Sequence, residues 1–149
     1  MTSPDSLREI CPATEEDLPS ILALLRRCHL PPDDLERHIR TTIVARHESR
    51  VVGCAALEMY PPWALLRSVA VEETFRGQGL GVRLTQEALH LAQQQGITGV
   101  YLLTETAESF FARLGFQPVS REEVPPAVKA SVEFTHVCPV SARVMMKGV

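Results

Sequence analysis

The stretch that decides the fold is Arg76-Gly77-Gln78-Gly79-Leu80-Gly81, which follows an apolar run over residues 65–71 and opens a helical stretch to about residue 95. Glycines let the backbone curl tightly and leave no Cβ between its amide groups and a ligand. The N–H groups of a first helical turn lack partners within the helix and lie at the positive end of its dipole. A strand, a glycine-rich turn and a helix start in this order therefore predict a cradle for a pyrophosphate.

The glycine string alone leaves several interpretations open. A dinucleotide-binding fingerprint needs G-x-G-x-x-G, whereas the spacing here is G-x-G-x-G, in mid-chain after a predicted hairpin. A P-loop needs G-x-x-x-x-G-K-[ST], which the sequence lacks. An ordinary strand-to-helix turn without a ligand is the remaining alternative, so the rest of the chain has to decide.

Length, composition and charge narrow the class of protein. The 149 residues have the size of one ordinary domain, and we predict a single domain over residues 1–149. A formal net charge of -3 argues against nucleic-acid or anionic-membrane partners, which need a basic surface. The first residues lack the pattern of a signal peptide, and no apolar run approaches the ~20 residues of a membrane span. We therefore expect a cytoplasmic protein.

Metal binding and disulfide bonds are not predicted. Cys11, Cys28, Cys54 and Cys138 lie far apart without a C-x-x-C motif, and the five histidines show no metal-ligand spacing. The cysteines are interpreted as reduced and structural.

Periodicity predicts alternating strands and helices. The first helix is expected to start at Thr14 and to end before Pro31, and a second, short helix is expected over residues 33–38. A third helix is expected from Leu80 to Gly96, with apolar residues at positions 80, 84, 88 and 91, and a fourth over residues 107–114. Residues 121–130 are predicted as a loop with a helical turn. Strands are predicted over residues 8–11, 42–47, 51–59, 64–71, 99–103, 116–119 and 142–147. This order predicts an α/β or α+β fold.

Two motifs at the right separation point to one family. Leu66-Arg67-Ser68-Val69-Ala70-Val71 followed by Arg76-x-x-Gly79-x-Gly81 resembles motif A of the GCN5-related N-acetyltransferase (GNAT) family. Phe111-Ala112-Arg113-Leu114-Gly115-Phe116 resembles its motif B. The resemblance covers essentially the whole chain. It implies a central mixed, mostly antiparallel sheet flanked by helices, with acetyl-CoA as cosubstrate and no metal. It also implies a cosubstrate site at Val69, Ala70, Val71, Arg76, Gly77, Gln78, Gly79, Leu80 and Gly81.

The second half is similar to two subgroups of that family. Residues 103–106, 115–116, 123–125 and 138–142 resemble the N-acetyltransferases associated with arsenic resistance, and also the acetyltransferase domain of N-acetylglutamate synthases. Both likenesses imply acetylation of the amino group of a small molecule, an α-amino acid or a toxic analogue such as arsinothricin. Acetylation of another amine or of a protein stays open. So does a different class, an acyl-CoA-binding sensor without turnover.

The family's chemistry, direct attack of the amine on the thioester, assigns roles to further residues. The resemblance implies that a backbone N–H of Val69 or Val71 polarises the acetyl carbonyl. Glu58 is the predicted general base, because it is a lone carboxylate at the end of an apolar strand and is expected to share a face with Val52, Cys54 and Ala56. Glu72 and Glu105 are weaker candidates.

The proton donor and the acceptor pocket are assigned by position. Many family members protonate the leaving thiolate with a tyrosine, but Phe111 occupies that position here. Ser68 falls where the synthases have a cysteine that is a proposed donor, and it is the predicted substitute.

An amino-acid acceptor needs an arginine for its carboxylate. Arg67 is preferred for this role over the other candidates Arg113, Arg121 and Arg143. Further pocket residues are predicted at Thr104, Thr106 and Ser141. Pro139 falls where the synthases have a clamp arginine, which argues against glutamate itself. Exposed sheet edges would allow a homodimer.

Overall fold

The computed structural model describes residues 9–137 and 141–149, and its elements follow the predicted order. The strands are β1 (Glu9–Pro12), β2 (Thr42–His47), β3 (Arg50–Tyr60), β4 (Trp63–Val71), β5 (Gly99–Thr104), β6 (Gln117–Val119) and β7 (Arg143–Gly148). The α-helices are α1 (Leu18–Arg27), α2 (Leu80–Gln94), α3 (Glu108–Arg113) and α4 (Pro126–Lys129). Short 3-10 helices cover Glu15–Asp17, Leu35–Thr41, Glu73–Phe75 and Arg121–Glu123, and a π-helix covers Glu133–Val137. Arg8 and residues 138–140, on which some predictions fall, lie outside the described residues.

The strands form a mixed sheet in the order β1-β2-β3-β4-β5-β7-β6. Antiparallel pairing joins β1 to β2, β2 to β3, β5 to β7 and β7 to β6, whereas β4 and β5 are parallel. This confirms the predicted mixed, mostly antiparallel sheet. The pairing of β4 with β5 ends at Leu66 opposite Leu102, and β4 continues to Val71 beyond that last pair.

The chain divides into two compact units, each with its own core. The first holds the chain up to Ala56 together with residues 68–88, and the second holds residues 57–67 and 89–149. Buried side chains in the first include Ile21, Leu24, Leu25, Leu35 and Val44. Those in the second include Leu65, Tyr101, Val124, Val128 and Val144. The single domain stays a prediction.

The start of α1 shows why a proline is tolerated there. Thr14 and Asp17 form a capping box, in which the Thr14 N–H donates to the Asp17 carboxylate over 2.8 Å. Pro19 is the second residue of α1, where a backbone N–H has no partner within the helix. The helical stretch predicted from Thr14 therefore begins with the 3-10 turn Glu15–Asp17, and α1 itself starts at Leu18.

Two predicted boundaries are wrong because residues take a left-handed backbone. Asp34 has φ +65°, so the second short helix begins at Leu35 rather than at residue 33. Glu48 and Ser49 have φ values of +52° and +67°, and together they form the tight turn between β2 and β3. Arg50, predicted as part of that turn, is the first residue of β3.

The helix after the glycine turn is confirmed in its bounds, and its predicted apolar face is buried except at Leu91, which is half-buried. Leu80, Leu84 and Ala88 of α2 are buried, and Gly96 follows the helix with φ +82°, as expected of a glycine that ends a helix.

Cys11, Cys28 and Cys54 form no disulfide bonds among the described residues. Over the described ranges there is neither a helix long and apolar enough to cross a membrane nor a group of side chains arranged to hold a metal ion.

Candidate active site

The glycine turn has the geometry of an anion cradle. Gly77 and Gly79 have φ values of +81° and +80°, a conformation that side chains rarely adopt. A Cβ built on either residue would meet no atom within 4 Å, so open space lies beside this backbone. Helix α2 starts directly afterwards and has 15 residues, so its positive end lies at the turn. These residues fit a diphosphate, which would accept hydrogen bonds from the exposed amides.

Arg76 ties the turn to neighbouring elements of its unit. Its Nε donates to the Val71 carbonyl over 3.0 Å, and its Nη2 lies 3.3 Å from the Cys28 sulfur at the end of α1. The guanidinium therefore holds the turn in place, and its contact with a phosphate stays a prediction. The side chain of Leu80 is buried in the core, and a contact of its backbone N–H with a ligand stays a prediction.

Strand β4 carries an unusual backbone at Ser68. This residue has φ +60° in the middle of a strand, a conformation that costs a residue with a Cβ about 1–2 kcal/mol. Its carbonyl lies 3.2 Å from the Cys54 sulfur, which donates to it. Such strain persists where the surrounding structure enforces it, and it is concentrated at functional sites. The bend precedes Val69, Ala70 and Val71, the residues predicted to contact the cosubstrate.

Glu58 lies at the centre of a buried polar cluster in the second unit. The Tyr60 hydroxyl donates to Glu58 Oε1 over 2.5 Å, and Arg67 Nη1 donates to Glu58 Oε2 over 2.9 Å. A second carboxylate oxygen, Glu133 Oε2, lies 3.7 Å from Arg67 Nη2. The side chains of Arg67 and Glu58 are 0% and 1% exposed. We call Glu58, Tyr60, Arg67 and Glu133 the Glu58 cluster.

The cluster adds a partner that the sequence did not indicate, because Arg67 pairs with Glu58 at ion-pair distance. All residues from Val51 to Glu58 are buried, so burial does not distinguish the two faces of this strand, and the apolar face shared by Glu58 stays a prediction. A fully buried carboxylate needs such partners, because desolvation of an unpaired charge would cost several kcal/mol. Whether Glu58 acts as a base stays a prediction.

The other predicted pocket residues have local structural partners or are exposed. The Thr104 hydroxyl accepts the Ala107 N–H over 2.9 Å, just before α3. Thr104 pairs in register with Arg143, and Ser141 lies two residues before that arginine, so both belong to one end of the β5–β7 pair. Thr106 and Ser141 are exposed. Their contact with an acceptor stays a prediction.

The weaker base candidates differ from Glu58 in their surroundings. Glu72 receives a hydrogen bond from Arg50 over 2.7 Å and lies 3.7 Å from Arg27. Glu105 is exposed.

Phe111 fills the second unit's core rather than a catalytic position. It is 7% exposed and makes edge-on ring contacts with Phe110 and Phe116, at centroid distances of 5.0 and 5.7 Å. These contacts give motif B a packing role.

The sequence reasoning missed two members of the Glu58 cluster. Tyr60 could have been found because it lies two residues after Glu58 on the same face of the strand. Glu133 carried no such signal, because it lies in a π-helix that the sequence pattern does not predict.

Comparisons with known proteins agree with this geometry. Residues 38–118 match the model of the acetyltransferase (GNAT) domain. An uncharacterised N-acetyltransferase of Chlorobaculum tepidum is 33% identical over 97 residues, which are 64% of this chain and 62% of the relative. The amino-acid acetyltransferase of Edwardsiella ictaluri is 29% identical over 135 residues, which are 85% of this chain and 31% of the relative. The N-acetylglutamate synthase of Neisseria gonorrhoeae, solved with coenzyme A and N-acetyl-glutamate, has a similar fold, with a TM-score of 0.82 and 24% identity over 95% of this chain and 35% of that one.

The chain belongs to the GNAT acetyltransferase family, because the family model matches more than half of it. This confirms the family predicted from motifs A and B, and with it acetyl-CoA as the family's cosubstrate. The chain spans 62% of the Chlorobaculum relative and about a third of the amino-acid acetyltransferase.

Proposed function

We propose that this protein transfers the acetyl group of acetyl-CoA to the amino group of an α-amino acid or of a toxic analogue, such as arsinothricin. The observation that carries the proposal is the glycine turn, where Gly77 and Gly79 open the backbone at the start of α2. Similarity to the amino-acid acetyltransferase of Edwardsiella ictaluri supports the class of acceptor. The cytoplasmic location and a homodimer stay predictions.

The cosubstrate would be held by backbone rather than by side chains. Amides of residues 76–81 would donate to the pyrophosphate oxygens. A backbone N–H of Val69 or Val71, after the bend at Ser68, would donate to the acetyl carbonyl oxygen. A fixed donor of this kind contributes on the order of 3 kcal/mol to the transition state, because negative charge develops on that oxygen.

The reaction requires the acceptor amine to be neutral. A free α-amine has a pKa near ~8, so it loses its proton more easily than a lysine side chain at ~10.4. The amine nitrogen forms a bond to the carbonyl carbon, the carbon–sulfur bond breaks, and the amine proton passes to Glu58. Ser68 would donate a proton to the departing thiolate and take one from water in the same step, so that its hydroxyl is restored; the thiolate's conjugate acid has a pKa near ~8.5 by analogy with cysteine. The proton held by Glu58 returns to water.

A thiol-release assay tests the proposal directly. Wild-type protein is mixed with acetyl-CoA and each member of a panel of α-amino acids that includes arsinothricin and phosphinothricin, and free coenzyme A is measured. Release that depends on the amine supports the enzyme. The Glu58→Gln variant keeps the size of the side chain and removes its basicity, so release should fall about 10²-fold or more.

The alternative is a sensor that binds acyl-CoA without turnover. Phe111 favours it, because this residue has no hydroxyl and is buried among aromatic rings. Tight binding of coenzyme A by calorimetry, with no thiol release on any amine, would support the sensor and reject the enzyme.

A further inference from the structure

The guanidinium of Arg67 already lies between two carboxylates of its own chain. It donates to Glu58 over 2.9 Å and lies 3.7 Å from Glu133, and its side chain is 0% exposed. An arginine that binds a substrate's carboxylate is expected to direct the N–H groups of its guanidinium into an open pocket. The surroundings of Arg67 are those of an internal ion pair.

We propose that Arg67 is a positioning residue that fixes the Glu58 carboxylate for proton transfer, and that it does not hold the acceptor's carboxylate. This rests on the proposed acetyltransferase function. It replaces the role that the sequence indicated for Arg67. Consequently, whatever selects an acidic acceptor belongs to other residues.

Each oxygen of the Glu58 carboxylate accepts a hydrogen bond from a neighbouring side chain. Arg67 donates to Oε2, and the Tyr60 hydroxyl donates to Oε1. Donors at both oxygens define the plane of the carboxylate, and hence the direction from which an amine can approach it. A base must lie within hydrogen-bond reach of the proton that it accepts, so a rotated carboxylate would lose rate rather than affinity.

The charges around Arg67 also favour the positioning of Glu58 over the binding of an acceptor's carboxylate. Glu58 and Glu133 place two carboxylates at the guanidinium of Arg67. A third carboxylate from an acceptor would be repelled by both at close range, and the repulsion is stronger in a buried site than in water. The cluster is therefore better suited to receive an amine than an acid.

The decisive experiment compares an acidic acceptor with its neutral form. Steady-state kinetics of wild type and Arg67→Lys are measured with the best α-amino acid of the panel and with its α-amide. We expect kcat to fall on the order of 10²-fold for both acceptors, with KM changed less than about threefold. A KM that rises tenfold or more for the free acid, but not for the amide, would assign the clamp to Arg67 and overturn the proposal.

A milder variant covers the case in which Arg67→Lys does not fold. Tyr60→Phe removes one hydroxyl donor to Glu58 Oε1. It should lower kcat with KM unchanged, and the acidic limb of the pH profile of kcat should move to higher pH because the carboxylate loses a donor. An unchanged kcat and pH profile would overturn the proposal.

Matched controls separate positioning from general destabilisation. Tyr101→Phe removes a hydroxyl from the same unit's apolar core, and Arg46→Lys alters another guanidinium–carboxylate pair, that with Asp17. Both controls should keep wild-type kcat and pH profile, and thermal unfolding and coenzyme A binding are measured for every variant. A wild type that releases no thiol with any amine would overturn the proposed function together with this inference. An active wild type in which Arg67→Lys changes only acid-specific KM would overturn the inference alone.

Discussion

The glycine turn gives a prediction in which charge and backbone strain can be separated. At Gly79 an added Cβ meets no neighbour within 4 Å, so replacement creates no clash at that atom, and the cost is that of φ +80°, about 1–2 kcal/mol. Gly79→Asp also places a carboxylate beside the proposed diphosphate. Two like charges about 4 Å apart repel by roughly 1 kcal/mol in water-like surroundings, so two phosphate charges give about 2 kcal/mol. This predicts coenzyme A binding about 30-fold weaker than in Gly79→Asn, which has the same size without the charge.

Gly96 supplies the matched control for strain. It has φ +82° and the same open space, but it follows the other end of α2. Gly79→Asn and Gly96→Asn should lower the melting temperature by similar amounts, about 2–8 °C, and only Gly79 variants should weaken coenzyme A binding. Affinities are measured by calorimetry at low ionic strength, because salt screens exposed charges. Equal affinities of Gly79→Asp and Gly79→Asn would refute the placement of the diphosphate at this turn.

Three further predictions concern the first unit. The hydrogen bonds from Arg46 lower the pKa of Asp17 below its usual range, so Asp17 stabilises the fold above pH ~4 and loses that contribution as the pH falls further. Asp17→Asn should therefore lower the free energy of unfolding in urea by about 1–3 kcal/mol at pH 7 and by much less at pH 2.5. An equal loss at the two pH values would contradict this role of Asp17. Gly53→Ala should destabilise by about 1–3 kcal/mol, because its Cβ would lie 2.9 Å from Leu84 Cδ1 and 3.2 Å from the Ala70 carbonyl, and unchanged unfolding would contradict this packing. Ser68→Ala should lower kcat without changing coenzyme A affinity, and an unchanged kcat would remove Ser68 as proton donor.

Local signals predicted most of the fold. Apolar residues at every fourth position from Leu80 predict the buried side of α2, and the glycine at position 96 predicts where the helix ends. Both features are local, because helix amphipathicity and capping each depend on a few neighbouring residues. The positive φ values of Asp34, Glu48 and Ser49 moved the starts of the second short helix and of β3 away from their predicted positions. An aspartate, a glutamate or a serine in the sequence does not indicate a positive φ, whereas a glycine does.

The Glu58 cluster could be predicted only in part. Glu58 was recognised as a carboxylate on an apolar face, which follows from strand alternation. Its pairing with Arg67 depends on how β3 and β4 fold together, and that of Glu133 on a π-helix far along the chain. Such contacts are set by tertiary packing, so the sequence pattern indicates a substrate role for Arg67 but not its ion pair with Glu58.

The reaction itself is tested most directly by identifying its product. Wild-type protein is incubated with carbon-13-labelled acetyl-CoA and the α-amino acid panel, and acetylated amines are measured by mass spectrometry beside released coenzyme A. Labelled acetyl on the amino nitrogen, in one-to-one ratio with coenzyme A and lost in Glu58→Gln, is the predicted result. Tight coenzyme A binding with no labelled amine from any acceptor would contradict it.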